Sequence, residues 1–224
     1  MTLAQLAQAL TELTKLRSPE DREQRLGALI SLIEGAAVGG ALESEQILTL
    51  VDDILMPLVM QVDPATRARL SSRLASKDWA PVALVVELSQ DELAIAQPII
   101  ASSPLLTDED LVGVLAGTTL DHHIAVASRS WLSSAVIGAI LAQNQPLVLT
   151  ALACNQAVDL SRPDLFHLTQ ASRQFASLRA PLARHPGLTA PMAETMLAWV
   201  GTSLHFSLIN RFHLSPKVQP IASD

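Results

Sequence analysis

Six histidines, one cysteine and a run of three acids are the side chains of this 224-residue sequence best suited to chemistry. His122 and His123 are neighbours in a segment with helical patterning, so their rings point about 100° apart and do not converge on one metal ion. His123 on the outer face of such a helix has the chemistry of a phosphorylatable histidine, although a histidine near a helix start needs no such role. Asp108-Glu109-Asp110 could hold a cation or a basic partner, or simply form a helix first turn, where each carboxylate gains roughly 0.3–1 kcal/mol from the macrodipole. His205 and His213 flank an expected helix end, and their spacing implies no shared site. Cys154 has no second cysteine to pair with; it follows the apolar run 149–153 and is expected to be a buried small hydrophobe of a protein in a reducing compartment. There is no Gly-rich phosphate loop, no Gly-x-Ser-x-Gly elbow, no His-Glu-x-x-His and no Cys-x-x-Cys. The sequence therefore gives no catalytic residue, metal site or cofactor to expect.

Three polar residues recur at one offset: Arg129, Asn155 and His185 each stand two places after an alanine, namely Ala127, Ala153 and Ala183. As ligands they would line one edge of the molecule, and as scaffolding they would bond the carbonyls that the end of a helix leaves open. Trp79, Trp131 and Trp199 lie near expected helix junctions, where they suit the core; Trp131 directly follows a polar turn and is the one placed to be an exposed anchor.

The elements that would position these residues repeat along the chain. Leu74-Ala75-Ser76-Lys77, Ile100-Ala101-Ser102-Ser103, Val126-Ala127-Ser128-Arg129, Leu152-Ala153-Cys154-Asn155 and Leu182-Ala183-Arg184-His185 align, with alanine spacings of 26, 26, 26 and 30. After each polar turn comes a helix-start signal: Pro81, Thr107-Asp108-Glu109-Asp110, Ser133-Ser134, Ser161-Arg162-Pro163-Asp164 and Thr189-Ala190-Pro191. The small residue predicts a close helix crossing, and one helix pair cannot bury its apolar face alone. The expectation is an all-α protein: N-terminal helices over 1–62 packed on a short α-solenoid of HEAT-like helix pairs over 63–203, then a helix end and tail over 204–224. The N-terminal helices are marked by Leu3, Leu6, Leu10 and Leu13, by Leu26, Leu29, Ile30 and Ile33 after Ser18-Pro19, and by Ile47 to Leu58 after Gly39-Gly40.

Composition agrees with helix. Hydrophobic residues make up 49% of the chain with a mean hydropathy of +0.32, mostly Leu, Ala, Ile and Val, with no tyrosine. Residues 130–158 carry no charge, long enough for a membrane span, but Gln143-Asn144-Gln145-Pro146 divides them into two pieces of core-helix length. The N-terminus has no cationic region ahead of an apolar core, so no secretory signal and no membrane segment is expected, and the protein is placed in the cytoplasm. The net charge of −7 is uneven: residues 1–110 hold 17 acids and 8 bases, residues 111–224 hold 5 acids and 7 bases. Neither half has the basic density that a phosphate backbone requires.

Leu182-Ala183-Arg184-His185-Pro186-Gly187-Leu188-Thr189-Ala190-Pro191 resembles leucine-rich-repeat-variant and HEAT-like units. More broadly, Pro98 to Leu111, with Ile100-Ala101-Ser102-Ser103-Pro104 and Thr107-Asp108-Glu109-Asp110, followed by His123 to Arg129 and Leu132-Ser133, is similar to an uncharacterised bacterial family, domain of unknown function 2336. The resemblance implies a helical repeat fold and carries over no activity or catalytic residue.

The expected function is non-catalytic, a protein–protein interaction or scaffold protein whose partner is a protein and not a nucleic acid or a membrane. The residues expected to face that partner are Asp108, Glu109, Asp110, Arg129, Trp131, Asn155 and Arg162. The alternative is an unrecognised site for signalling phosphotransfer, resting on His123, or for helical-repeat nucleic-acid processing. A base-excision glycosylase needs a basic groove with aromatic residues, and this chain is acidic and 3% aromatic.

Overall fold

A computed structural model describes residues 24, 26–28, 30–31, 33–35 and 55–214, and every regular element among them is helical. The expected first N-terminal helix, Gly39-Gly40 and the stretch 47–54 lie outside the described residues. Leu26, Ile30 and Ile33, all helical, are buried, as are Leu55 and Val59.

Eleven helices follow among the described residues from Pro64 onward: α1 (Pro64–Leu74), α2 (Val82–Ser89), α3 (Leu93–Ser102), α4 (Asp108–Gly117), α5 (Leu120–Ala127), α6 (Ser134–Gln143), α7 (Pro146–Cys154), α8 (Arg162–Gln174), α9 (Arg179–Arg184), α10 (Ala190–Met196) and α11 (Thr202–Phe212). Their starts sit where the capping signals predict, for local reasons. The Asp63 carboxylate accepts the Thr66 N–H at 3.0 Å ahead of Pro64, and these hydrogen bonds from Thr66 hold its pKa below the ordinary aspartate value. Thr107 and Asp110 exchange hydrogen bonds at the start of α4, and Ser161 and Asp164 form the same reciprocal box at the start of α8. The uncharged stretch 130–158 resolves into α6 and α7, broken by Asn144 in the left-handed conformation at φ 51°. Among the described residues no helix is long and apolar enough to cross a membrane.

The chain divides into two compact units, residues 1–110 and 111–224. In the first, α3 packs against both α1 and α2 over Leu70, Leu74, Leu84, Leu88, Ile95 and Ile99. Arg67 ties α1 to the turn before α3 through Asp91 at 2.7 Å, and the buried Ser71 hydroxyl donates to the Ile95 carbonyl.

In the second unit each helix lies against the helix two steps along. The series α5, α7, α9, α11 is packed in that order, and so is the series α6, α8, α10. Ala127, Ala153 and Ala183 are buried at the ends of α5, α7 and α9, as the close-crossing argument requires, and Ala75 is buried after α1. Two of the small side chains at these helix ends are not on the expected side. Ala101 is exposed, because Ile99 and Ile100 occupy the inner face of α3. Cys154 is exposed too: Leu152 and Ala153 take the inner face, and the next residue is turned about 100° away from it. Helix α11 (Thr202–Phe212) begins just before the expected boundary at 203.

Candidate functional site

The turns after α5, α7 and α9 carry the polar residues with the recurring offset. Asn155 follows α7, and its side-chain amide donates to the Ala127 carbonyl at 2.9 Å and to the Arg129 carbonyl at 2.6 Å. Its Oδ1 accepts the Ala157 N–H at 3.1 Å, so both amide hydrogens and one oxygen lone pair go to the backbone. The same device recurs two steps on; His185, in the step between, instead accepts the Gly187 N–H. Arg211 at the end of α11 donates through Nη1 to the Ala183 carbonyl at 2.7 Å and through Nη2 to the His185 carbonyl at 2.8 Å. In each case a side chain closes two carbonyls that a helix end 26 to 28 residues earlier leaves open. Arg211 is absent from the sequence reading. Its signal is there, since Leu208-Ile209-Asn210-Arg211 follows Ala183 by the same 26 residues, but isoleucine stands in the alanine's place.

The expected partner-facing residues do not share one environment. Asp108, Glu109 and Asp110 belong to the first unit and the other four to the second. The Asp110 carboxylate is taken up by the Thr107 N–H and hydroxyl, at 2.8 and 2.7 Å, which leaves Glu109 as the exposed acid of the trio. Arg129 is a correction: the reading places it on the rim, whereas it is 7% exposed, and burial lowers the pKa of its guanidinium. It sits in the turn after α5, and its carbonyl serves Asn155. Arg162 is exposed at the first position of α8. Trp131 stands 65% exposed on the turn before α6, while Trp79 and Trp199 are half-buried and the Trp199 indole donates to the Ser172 hydroxyl at 3.0 Å.

The histidines separate by environment. His122 is buried, its Nδ1 2.8 Å from the Thr119 hydroxyl. His123 lines an open recess of about 420 Å³ with Leu120, Gln143 and Gln145. Both of its ring nitrogens are closed to solvent and without a hydrogen-bond partner among the described residues, as is Gln143 Oε1, whose Nε2 donates to the Leu115 carbonyl at 2.6 Å. His185 is buried, with Nδ1 accepting the Gly187 N–H at 3.1 Å. Burial first, then the Arg211 guanidinium, pushes its pKa below the ordinary imidazole value, against a smaller opposing pull from Asp159. Among the described residues no three His, Cys, Asp or Glu side chains are grouped closely enough to hold a metal ion.

These features define an all-helical protein in which Asn155 and Arg211 each tie a helix end to an earlier turn. The profile of the family described as "Uncharacterised protein conserved in bacteria (DUF2336)" matches residues 95–222, more than half of the chain. The chain belongs to that family. No curated protein and no solved structure matches it.

Proposed function

We propose that this is a non-catalytic, cytoplasmic protein-binding module, a short HEAT-like α-solenoid that takes a protein partner on the face made by its second helices. Support for the solenoid comes from the second unit, where first helices pack on first helices and second on second, in chain order. Trp131 carries the binding reading: a large amphipathic side chain, 65% exposed, is the type that anchors interfaces. Asn155 is occupied by backbone carbonyls and Arg129 is buried, which leaves Trp131 and Arg162 as the expected residues of the second unit best exposed to meet a partner. A phosphotransfer histidine needs a ring nitrogen open to its donor, and both nitrogens of His123 are closed.

The test is quantitative affinity capture from the native host with wild type and Trp131→Ala, with circular dichroism on both. Specific partners lost from a folded Trp131→Ala protein support the reading. An identical captured set, or phosphate transferred to the chain from labelled phosphodonor kinases, overturns it.

A further inference from the structure

Helix α8 is the longest among the described residues, and its outer face differs from those of its neighbours. Buried Leu165, Leu168, Thr169 and Ser172 fix the inner face. Arg162, Phe166 and Arg173 then fall within about 40° of one another along one edge of the exposed arc, at 100° per residue, and all three are exposed, Phe166 by 51%. Beside α8, helix α6 turns out Ala135, Gly138 and Ala142, and nothing lies within 4 Å of where a Gly138 Cβ would stand. Helix α8 thus exposes an aromatic side chain, and α6, which packs beside it, exposes small ones, a surface against which a further helix can pack closely.

The charge along α8 and the chain after it is mostly positive. Between residues 162 and 184 the sequence has four arginines and a single acid, Asp164, whose carboxylate is engaged at the Ser161 cap. Arg162 and Arg173 have no ion-pair partner among the described residues. The Arg179 guanidinium donates to the Ser172 and Arg173 carbonyls at 3.0 and 3.1 Å, adding a third cation at the C-terminal end of α8. Glu194 is the opposing exposed charge on the adjacent α10. Arg162 and Arg173 are separated by about 16 Å of helix axis at 1.5 Å per residue, with Phe166 between them.

We propose that the outer face of α8 and α6 docks an amphipathic helix of a partner protein that carries acidic residues at both ends of an apolar stripe. Three turns of such a helix span the distance between the arginines. Its apolar side chains cover Phe166 and the small residues of α6, and its carboxylates meet Arg162 and Arg173. A helix suits the face because α6 and α8 offer no strand edge for an extended segment to pair with. A nucleic acid suits it less, since the chain as a whole is at −7 and would repel phosphates away from the arginines.

The proposal rests on the partner-binding reading above and is tested separately from it. The full chain is titrated, by fluorescence anisotropy, into a labelled synthetic helix of leucine and glutamate with a three-turn apolar stripe. Controls are a scrambled peptide of the same composition, a lysine-for-glutamate twin and a single-stranded oligonucleotide. The striped acidic helix should bind at least about tenfold tighter than any control, and Phe166→Ala and the Arg162→Glu/Arg173→Gln pair should each weaken it by about tenfold or more with unchanged circular dichroism. Binding should weaken with salt for wild type and far less for the arginine pair. Unchanged affinity in the variants, equal binding of the lysine twin, or tighter binding of the oligonucleotide overturns the proposal. So does a concentration-dependent dimer in sedimentation velocity that the arginine pair abolishes, because it assigns the face to a second copy. If the peptide fails while Trp131→Ala still loses its captured partner, this surface is wrong and the partner-binding reading stands.

Discussion

Replacing Asn155 by alanine probes the link between consecutive turns at its most local point. The substitution removes two donations, to the Ala127 and Arg129 carbonyls at 2.9 and 2.6 Å, and one acceptance from the Ala157 N–H at 3.1 Å. A neutral hydrogen bond contributes about 0.5–1.5 kcal/mol net, and water reaches this half-buried site in part, so the three together come to about 2–3 kcal/mol. In a chain of this size that is a fall of about 5–10 °C in Tm. Asn155→Asp is the sharper variant. It keeps the acceptor for Ala157 but turns a carboxylate oxygen toward two carbonyl oxygens, so it should melt below the alanine variant although it is closer in shape. Differential scanning calorimetry on the three proteins checks the order wild type, Ala, Asp. An alanine variant within a degree of wild type, or an aspartate variant as stable as wild type, refutes the role given to this side chain.

Ala127→Glu and Ala153→Glu should each prevent stable folding, since a carboxylate in these buried helix contacts costs several kcal/mol; near-native circular dichroism melts would count against the close crossing. His123→Leu should hold or raise stability by about 1 kcal/mol, because it removes two ring nitrogens that have no partner, and chemical denaturation at pH 7.5 measures it. A loss of 2 kcal/mol, roughly, would mean that the ring is bonded after all. Stability should fall with pH below about 6.5, where the unfolded chain takes up a proton on His185 that the folded chain resists, and continue falling through the lower folded-state pKa. Above that range the contribution is fully present, and His185→Asn, which keeps an acceptor for the Gly187 N–H, should flatten the slope between denaturation curves at pH 7.5 and 5.5.

Much of the fold was legible in short-range chemistry. Thr107, Ser133 and Ser161 announce their helices because capping is decided within three or four residues, and each cap is present. The buried alanines were legible for the same reason, since a small residue recurring at a fixed period has few uses besides a close contact. What the sequence concealed depends on direction. A residue at the last turn of a helix points inward or outward according to one step of about 100°, which is why Cys154 and Ala101 are outside and Arg129 is inside. Arg211 carries no such marker, because Ile209 fills the alanine's place in the last helix. Phe166 went unnoticed because one aromatic inside an amphipathic helix reads as core until the helix phase is fixed by its neighbours.

If helices α5, α7, α9 and α11 are equivalent members of one stack, spin labels at equivalent positions measure it directly. Cys154 is exposed and is the one cysteine in the chain; Ser128, Arg184 and Asn210 occupy the matching exposed places and can be changed to cysteine in pairs, with Cys154→Ser where needed. Helices stacked side by side at about 8–10 Å per step predict near-equal short separations for 128–154, 154–184 and 184–210, and roughly twice that separation for 128–184 and 154–210. Separations that do not grow with each step, or a 128–184 pair closer than 128–154, would contradict the stack and with it the proposed solenoid.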